Sequence, residues 1–205
     1  MDSNNPTLPK GKYKPDFDFK KIQINDVGRY SITRPYEAKQ IIVIIKETLK
    51  LINIKSENCI ITDGTSGVGG DTIHFSKYFK FVNAVDILEE NTELLRNNCE
   101  MFGITNVNII HADFVNVIDK IKQDILYIDP PWGGIGYKDK DKVELMMSGI
   151  PIHQILKKLN SAKSPLIFIK LPLNADMSNL NVKKTYTILN KKNIPSFYIV
   201  HSEAL

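Results

Sequence analysis

The chain has 205 residues, 42% of them hydrophobic, enough to bury one sizeable core and most economically read as one main domain. Its 27 basic and 23 acidic residues leave a formal net charge of +4, which excludes a polycation while allowing a local basic face that meets phosphate. Two cysteines (Cys59, Cys99) and four histidines (His74, His111, His153, His201) lack metal-ligand spacing, so no metal is expected, and reduced thiols point to an intracellular protein, nucleus or cytoplasm undistinguished.

The chain opens Met1-Asp2-Ser3-Asn4-Asn5 without the apolar core of a signal peptide, and no apolar run approaches the ~18 residues of a membrane span. Residues 1–20 read as a flexible arm. In it Lys10, Lys12, Tyr13 and Lys14 interleave charge with an aromatic ring, which suits RNA contact, although a solvated tail is the simpler expectation. Residues 21–56 form an N-terminal extension. Ser31 or Thr33 is expected to cap a helix from Arg34 to Ile52, with Pro35 and Glu37 in its first turn, and its dense apolar residues predict packing on a sheet. Residues 57–205 make the main domain.

Cys59-Ile60-Ile61-Thr62 predicts a buried strand, Asp63 through Gly70 a glycine-rich turn, and Asp71-Thr72-Ile73-His74-Phe75 a helix start. Glycines here permit positive φ and let a ligand approach the backbone; without a following Lys-Ser/Thr pair, a phosphate-gripping P-loop is disfavoured. A second strand, Phe81 to Val85, ends in Asp86, 23 residues beyond Asp63, near the interval at which an acid meets a ribose diol. Ile87 to Phe102 predicts an amphipathic helix with Leu88, Leu94, Leu95, Cys99 and Phe102 on one face. Val107 to Ile110 is a third strand. Asp113 after it either caps a helix from Phe114 to Lys122 or binds a ligand with Phe114, or does both.

The apolar run Ile125-Leu126-Tyr127-Ile128 stops at Asp129-Pro130-Pro131-Trp132-Gly133-Gly134, because proline cannot continue a ladder. Asp129 therefore stands at the carboxyl end of a strand, the edge where open α/β sheets bind ligands. Its carboxylate and the Pro130 carbonyl are acceptors beside the Trp132 ring, a set suited to a flat heterocycle with an exocyclic amine; the alternative is a structural turn with a core tryptophan. Ile135-Gly136-Tyr137 and Lys138 to Lys142 form a loop that closes over a substrate or is merely solvated. A helix from Pro151 to Leu159, a strand from Leu166 to Leu171, and Lys183 to Leu189 with Ser196 to Val200 as a hairpin complete the chain.

Carboxylates at Asp63, Asp86, Asp113 and Asp129 thus share one sheet edge. S-adenosylmethionine suits them better than a nicotinamide cofactor, because the loop lacks the Gly-x-Gly-x-x-Gly order and Asp129 to Trp132 supplies an amine pocket. These residues, with Ser31-Ile32-Thr33, Arg96-Asn97-Asn98, Tyr137 and Asn174-Ala175-Asp176, resemble the trimethylguanosine synthase family of RNA cap guanine-N2 methyltransferases over about Phe17 to Asp176. The resemblance implies a Rossmann-like class I methyltransferase: a mostly parallel seven-stranded sheet, helices on both faces, an antiparallel final strand and a short N-terminal helical extension. It implies that Asp63, Thr65, Gly67, Gly69, Thr72, Asp86, Ile87, Asp113 and Phe114 hold S-adenosylmethionine (product S-adenosylhomocysteine). Asp129, Pro130 and Trp132 would be catalytic. Ser31, Trp132, Tyr137 and Asn174 would line the pocket for a 7-methylguanosine-capped RNA.

Two departures from the family's pattern stand out. Relatives often have serine where this chain has Asp129 and arginine where it has Leu173. Lys170, Arg34 or the lysines of the arm are expected to replace that arginine as a phosphate clamp. Asp-Pro-Pro-Trp also resembles RNA adenine-N6 methyltransferases. Three readings therefore stand side by side: a cap guanine-N2 methyltransferase making di- or trimethylguanosine caps, a methyltransferase on another RNA amine (adenine N6 or an internal guanine N2), and a non-catalytic RNA-binding module on this scaffold.

Overall fold

The computed structural model describes residues 17–159, 166–192 and 194–202; most of the expected arm, including Lys10, Lys12, Tyr13 and Lys14, lies outside them. The part of that arm that is described is packed. Phe17 lies against the rings of Phe102 (5.3 Å) and His74 (6.1 Å), and Phe19 against His74 (5.3 Å).

Helix α1 (Asp26–Ser31) is capped by Asn25, whose side chain accepts from the Gly28 N–H. Helix α2 (Pro35–Leu51) follows, with proline in its first turn and Glu37 accepting from the Arg34 N–H at 3.2 Å. Neither expected cap forms. Ser31 Oγ donates to the Val27 carbonyl, ending α1, and the buried Thr33 hydroxyl is drawn to Asp71.

The strands are β1 (Ile60–Asp63), β2 (Phe81–Asp86), β3 (Val107–His111), β4 (Ile125–Ile128), β5 (Met146–Met147), β6 (Ile150–Pro151), β7 (Leu166–Leu171), β8 (Val182–Leu189) and β9 (Pro195–Ser202). Seven of them form one sheet in the order β3-β2-β1-β4-β7-β9-β8, the first five parallel and β9 antiparallel to both its neighbours. Strand order reverses between β1 and β4, which opens a crevice at their carboxyl ends. Strands β5 and β6 pair separately.

Both faces of the sheet are covered, so strand residues alternate between two apolar layers rather than between core and water. Ile125, Tyr127 and Phe168 face α2, where Ile41, Ile45 and Leu49 pack with Phe75 of α3 (Thr72–Phe75). Leu126, Ile128, Ile167 and Ile169 face the other layer, which includes Ile152, Ile155 and Leu156 of α5 (Ile152–Leu156). Burying each such side chain fully contributes about 1.5–3 kcal/mol.

Two helices differ from expectation. Helix α4 (Glu89–Met101) buries Asn91, Thr92, Leu95, Asn98 and Cys99, while Leu88 is exposed. Amides define this face because Asn98 bonds the Gln23 backbone in both directions and the Val68 carbonyl, tying α4 to the N-terminal extension and the glycine loop. After β3 a 3₁₀ turn forms (Phe114–Asn116) in place of the expected helix, followed only by turn bonds such as those from Ile118 N–H to the Phe114 carbonyl and from Ile121 N–H to the Val117 carbonyl. Among the described residues, no helix is long and apolar enough to cross a membrane, and Cys59 and Cys99 are free and buried.

Candidate active site

The glycine turn after β1 is sewn to both flanking strands: Gly64 N–H donates to the Tyr127 carbonyl and Ser66 N–H to that of Val85, each at 2.9 Å. Its glycines answer different demands. Gly67 has φ +51° and open space where a Cβ would stand, so its backbone borders the crevice, and its N–H donates to Asp86 Oδ2 at 2.8 Å. Gly69 has φ +106°, and a Cβ there would stand 2.5 Å from Leu95 Cδ1, so only glycine lets α4 pack this closely.

A cavity of about 290 Å³ opens along this turn. Thr65, Gly67, Asp86, Ile87, Asp113 and Phe114 of the expected cofactor set line it. Asp86 is immobilised at the β2 end, also accepting from Leu88 N–H (2.9 Å) and Asn91 Nδ2 (3.0 Å). Asp113 both caps the 3₁₀ turn, through Val115 N–H at 3.0 Å, and borders the cavity. Asp63, Gly69 and Thr72 stand behind the wall and do not line it. Asp63 is 1% exposed and bonded to the Thr72 hydroxyl at 2.7 Å; burial, with the Asp71 charge acting in the same direction, pushes its pKa up to about 8.

A second cavity of about 440 Å³ is lined by Pro130, Trp132, Tyr137 and Lys138, with the exposed Tyr30 at its edge. The two cavities share Val27, Ser31, Asp129 and Pro131. Trp132 is half-buried; Tyr137 meets it edge to face at 5.1 Å, and the Lys170 ammonium lies 5.5 Å from its ring centre. Asn174 does not line this cavity. Its Nδ2 donates to the Tyr137 (2.9 Å) and Lys140 (2.7 Å) carbonyls and so pins the loop beside it.

At the junction, Asp129 N–H donates to Thr65 Oγ1 (2.7 Å), and its Oδ2 pairs with Lys170 Nζ (2.7 Å). Lys170 also donates to Thr33 Oγ1 (2.8 Å). Thr33 in turn donates to Asp71 Oδ2 (2.7 Å), which accepts as well from the Tyr127 hydroxyl (3.0 Å). A buried chain of bonds thus joins the floors of the two cavities. Burial raises the Asp129 pKa to about 6, the Lys170 charge only partly opposing it. For Lys170 burial works against the charge, but Asp129 and Asp71 outweigh it and hold its pKa above the ordinary value. The Trp132 indole N–H has no close acceptor, yet lies near enough to Asp129 to favour the carboxylate.

Lys170 is therefore no phosphate clamp: it is 3% exposed and committed to a carboxylate. Arg34 remains exposed, its guanidinium on the Arg29 carbonyl. Sequence reasoning passed over Ser66 and Asp71, although both lie inside the glycine motif it singled out, and over the signal of a lysine in the otherwise apolar run Leu166 to Leu171. Nothing in the sequence points to Met147 and Ser148, which the β5–β6 pair brings to the crevice. Among the described residues, no group of three His, Cys, Asp or Glu side chains could hold a metal ion.

Comparison with known proteins agrees with this geometry. The chain is 32% identical to an uncharacterised protein of Acanthamoeba polyphaga mimivirus, over 88% of this chain and 78% of that one. It is 27% identical to the trimethylguanosine synthase of Schizosaccharomyces pombe, over 74% of this chain and 63% of that protein. Against the trimethylguanosine synthase of Saccharomyces cerevisiae it is 30% identical, over 59% of this chain and 41% of that protein. The fold superposes on a Thermus thermophilus 16S rRNA N2 methyltransferase in complex with AdoMet and guanosine, with a TM-score of 0.59 at 12% identity, covering 86% of this chain and 44% of that one. Residues 58–202 match the model of the RNA cap guanine-N2 methyltransferases, and the chain belongs to that family.

Proposed function

We propose that this chain transfers a methyl group from S-adenosylmethionine to the exocyclic N2 amine of a 7-methylguanosine RNA cap, giving di- or trimethylguanosine. RNA methyl transfer follows from the family; the cap substrate and its product are our reading. The observation that carries it is the junction at Asp129, where a crevice walled by glycine turn and strand-end acids meets a pocket walled by an indole. The crevice suits an adenosyl group because Gly67 leaves its backbone bare and Asp86 is held rigid at the end of β2.

When bound, S-adenosylmethionine supplies a sulfonium methyl open to in-line attack by nitrogen. The protein's task is chiefly positioning, since a conjugated amine is a poor nucleophile and correct orientation is worth about 7–11 kcal/mol of barrier. Asp129 and the Pro130 carbonyl accept the amine hydrogens and turn the lone pair toward the donor. A carboxylate with its pKa near 6 then suits the proton that leaves after transfer. Trp132 offers its face to the cationic 7-methylguanine, a contact worth about 0.5–2 kcal/mol. Because the Lys170 ammonium occupies one face of the ring, the base stacks on the other.

The second reading, a different RNA amine such as adenine N6 or an internal guanine N2, is favoured by Asp129 itself, since any exocyclic amine would satisfy it. One experiment separates the two. The protein is incubated with labelled S-adenosylmethionine and capped, uncapped and adenine-containing RNAs, and nucleosides are then analysed. Label is expected in guanine N2 of 7-methylguanosine-capped RNA alone, and Trp132→Ala is expected to weaken 7-methylguanosine far more than guanosine. Label in uncapped RNA would overturn the cap reading.

A further inference from the structure

The second cavity runs from a buried floor to an open rim. Lys170, 3% exposed, pairs with Asp129 at the floor, Trp132 is half-buried, and Gly134, Lys138 and Tyr30 stand in solvent. A base stacked on Trp132 with its amine at Asp129 therefore turns its sugar, and whatever the sugar carries, toward the rim.

Two uncommitted cations meet there. Lys138 lines the cavity, its ammonium 5.8 Å from the Tyr137 ring centre. Lys140 reaches back to the pair Gly133-Gly134: a Cβ on Gly133 would stand 3.8 Å from the Lys140 ammonium nitrogen. Among the described residues neither ammonium has an ion-pair or hydrogen-bond partner, whereas Lys142 of the same loop is paired with Asp176 at 3.7 Å. Asp139 and Asp141 alternate with these lysines, but they line neither cavity. Gly134 has φ +76°, and a Cβ there would meet nothing within 4 Å, so the backbone beside the two ammoniums is bare. Asn174 holds the Tyr137 and Lys140 carbonyls, on either side of Lys138, so the loop is fixed before any ligand arrives.

We propose that Lys138 and Lys140 seat the phosphate chain attached to the base in the second cavity, Lys138 from the cavity wall and Lys140 across the Gly133-Gly134 backbone. A lysine ammonium is a compact charge on a flexible stem, which meets a phosphate chain without demanding one fixed orientation. The other cations near the cavity are spent, Lys170 on Asp129 and Thr33 and Arg34 on the Arg29 carbonyl. The proposal rests on the reading that puts 7-methylguanine on Trp132, and it deepens that reading by giving the phosphates to the loop that follows the indole.

The test is calorimetric binding of guanosine, 7-methylguanosine, the 5′-triphosphate of each, and an uncapped RNA oligonucleotide with a 5′-hydroxyl, at low and high salt. The proteins are the wild type, Lys138→Met/Lys140→Met and Lys138→Arg/Lys140→Arg. Both side chains are exposed and unpaired, so the double variants are expected to melt as the wild type does. The methionine variant is expected to lose about tenfold in affinity for 7-methylguanosine triphosphate at low salt and to keep the nucleoside within about twofold. Its preference for triphosphate over nucleoside is expected to lose most of its salt dependence, because salt screens exposed charge pairs. The arginine variant keeps both charges and is expected to bind the triphosphate like the wild type. Undiminished triphosphate binding in the methionine variant, or equal weakening of nucleoside and triphosphate, would overturn the seat. An oligonucleotide weakened as much as the triphosphate would also overturn it, giving these lysines to the RNA backbone instead. A wild type that does not prefer 7-methylguanosine to guanosine would bring down the cap reading, and guanosine with its triphosphate would still decide the seat.

Discussion

Asp129 carries opposing demands. Burial disfavours its charge, Lys170 favours it, and the balance leaves its pKa near 6, within reach of ordinary assay conditions. If the ionised form is the one that accepts the amine hydrogens, turnover rises with pH through about 6 and is lost as the carboxyl protonates below it. Lys170→Met removes the opposing influence, so the carboxyl pKa climbs and the acid limb of the pH–rate profile moves to higher pH. Lys170→Arg keeps a cation beside Asp129 and is expected to leave the limb near its wild-type position. Asp129→Ala is expected to lose the limb together with about 10²–10⁴-fold in turnover while retaining S-adenosylhomocysteine binding. The check is kcat against pH with saturating donor. An acid limb unmoved in Lys170→Met would mean that a group other than Asp129 sets it.

At the scale of elements, the glycine turn works because two of its residues face different neighbours. A methyl group on Gly69 would collide with Leu95 and Ile73 of the packed interior, whereas one on Gly67 would project into the crevice. Both substitutions also strain a positive φ, at roughly 1–2 kcal/mol each. Gly69→Ala adds overpacking of about 1–3 kcal/mol and is therefore expected to lower the melting temperature more. Gly67→Ala is expected to weaken S-adenosylhomocysteine more, because its methyl occupies ligand space. Thermal melts and titrations of the two variants would show this crossing pattern, and the same order in both measurements would contradict it. The loop beyond Trp132 depends similarly on one side chain: Asn174 holds two of its carbonyls and so fixes the loop that carries Tyr137.

For the molecule as a whole, Asp63 makes stability depend on pH. Its folded pKa of about 8 lies above the ordinary value of 3.8, so the native state binds a proton that the unfolded chain releases, and stability falls as pH rises between those values. Asp129 contributes in the same sense only up to about 6, which leaves Asp63 to act alone of the two above that. The melting temperature is expected to fall from pH 6.5 to 8.5 and level off above. Asp63→Asn, whose amide can donate to the Thr72 hydroxyl, is expected to flatten that slope; an unchanged slope would locate the proton elsewhere. Much of this architecture was legible beforehand. The run Ile125 to Ile128, the glycine turn and the hairpin at the chain's end are written in local periodicity and in glycine and proline punctuation, which act within a few residues. From them alone followed parallel β-α units with acids at their strand ends. The tertiary structure decided the rest, because it depends on register between strands distant in sequence. Pairing Ile128 with Ile169 sets Asp129 beside Lys170, making one of the several candidates for a phosphate clamp a buried counter-ion. The fold of the turn, rather than its composition, puts Asp63 and Thr72 behind the wall and leaves Asp71 Oδ1 buried without a hydrogen-bond partner, since which buried atoms find one is settled only when every neighbour is in place.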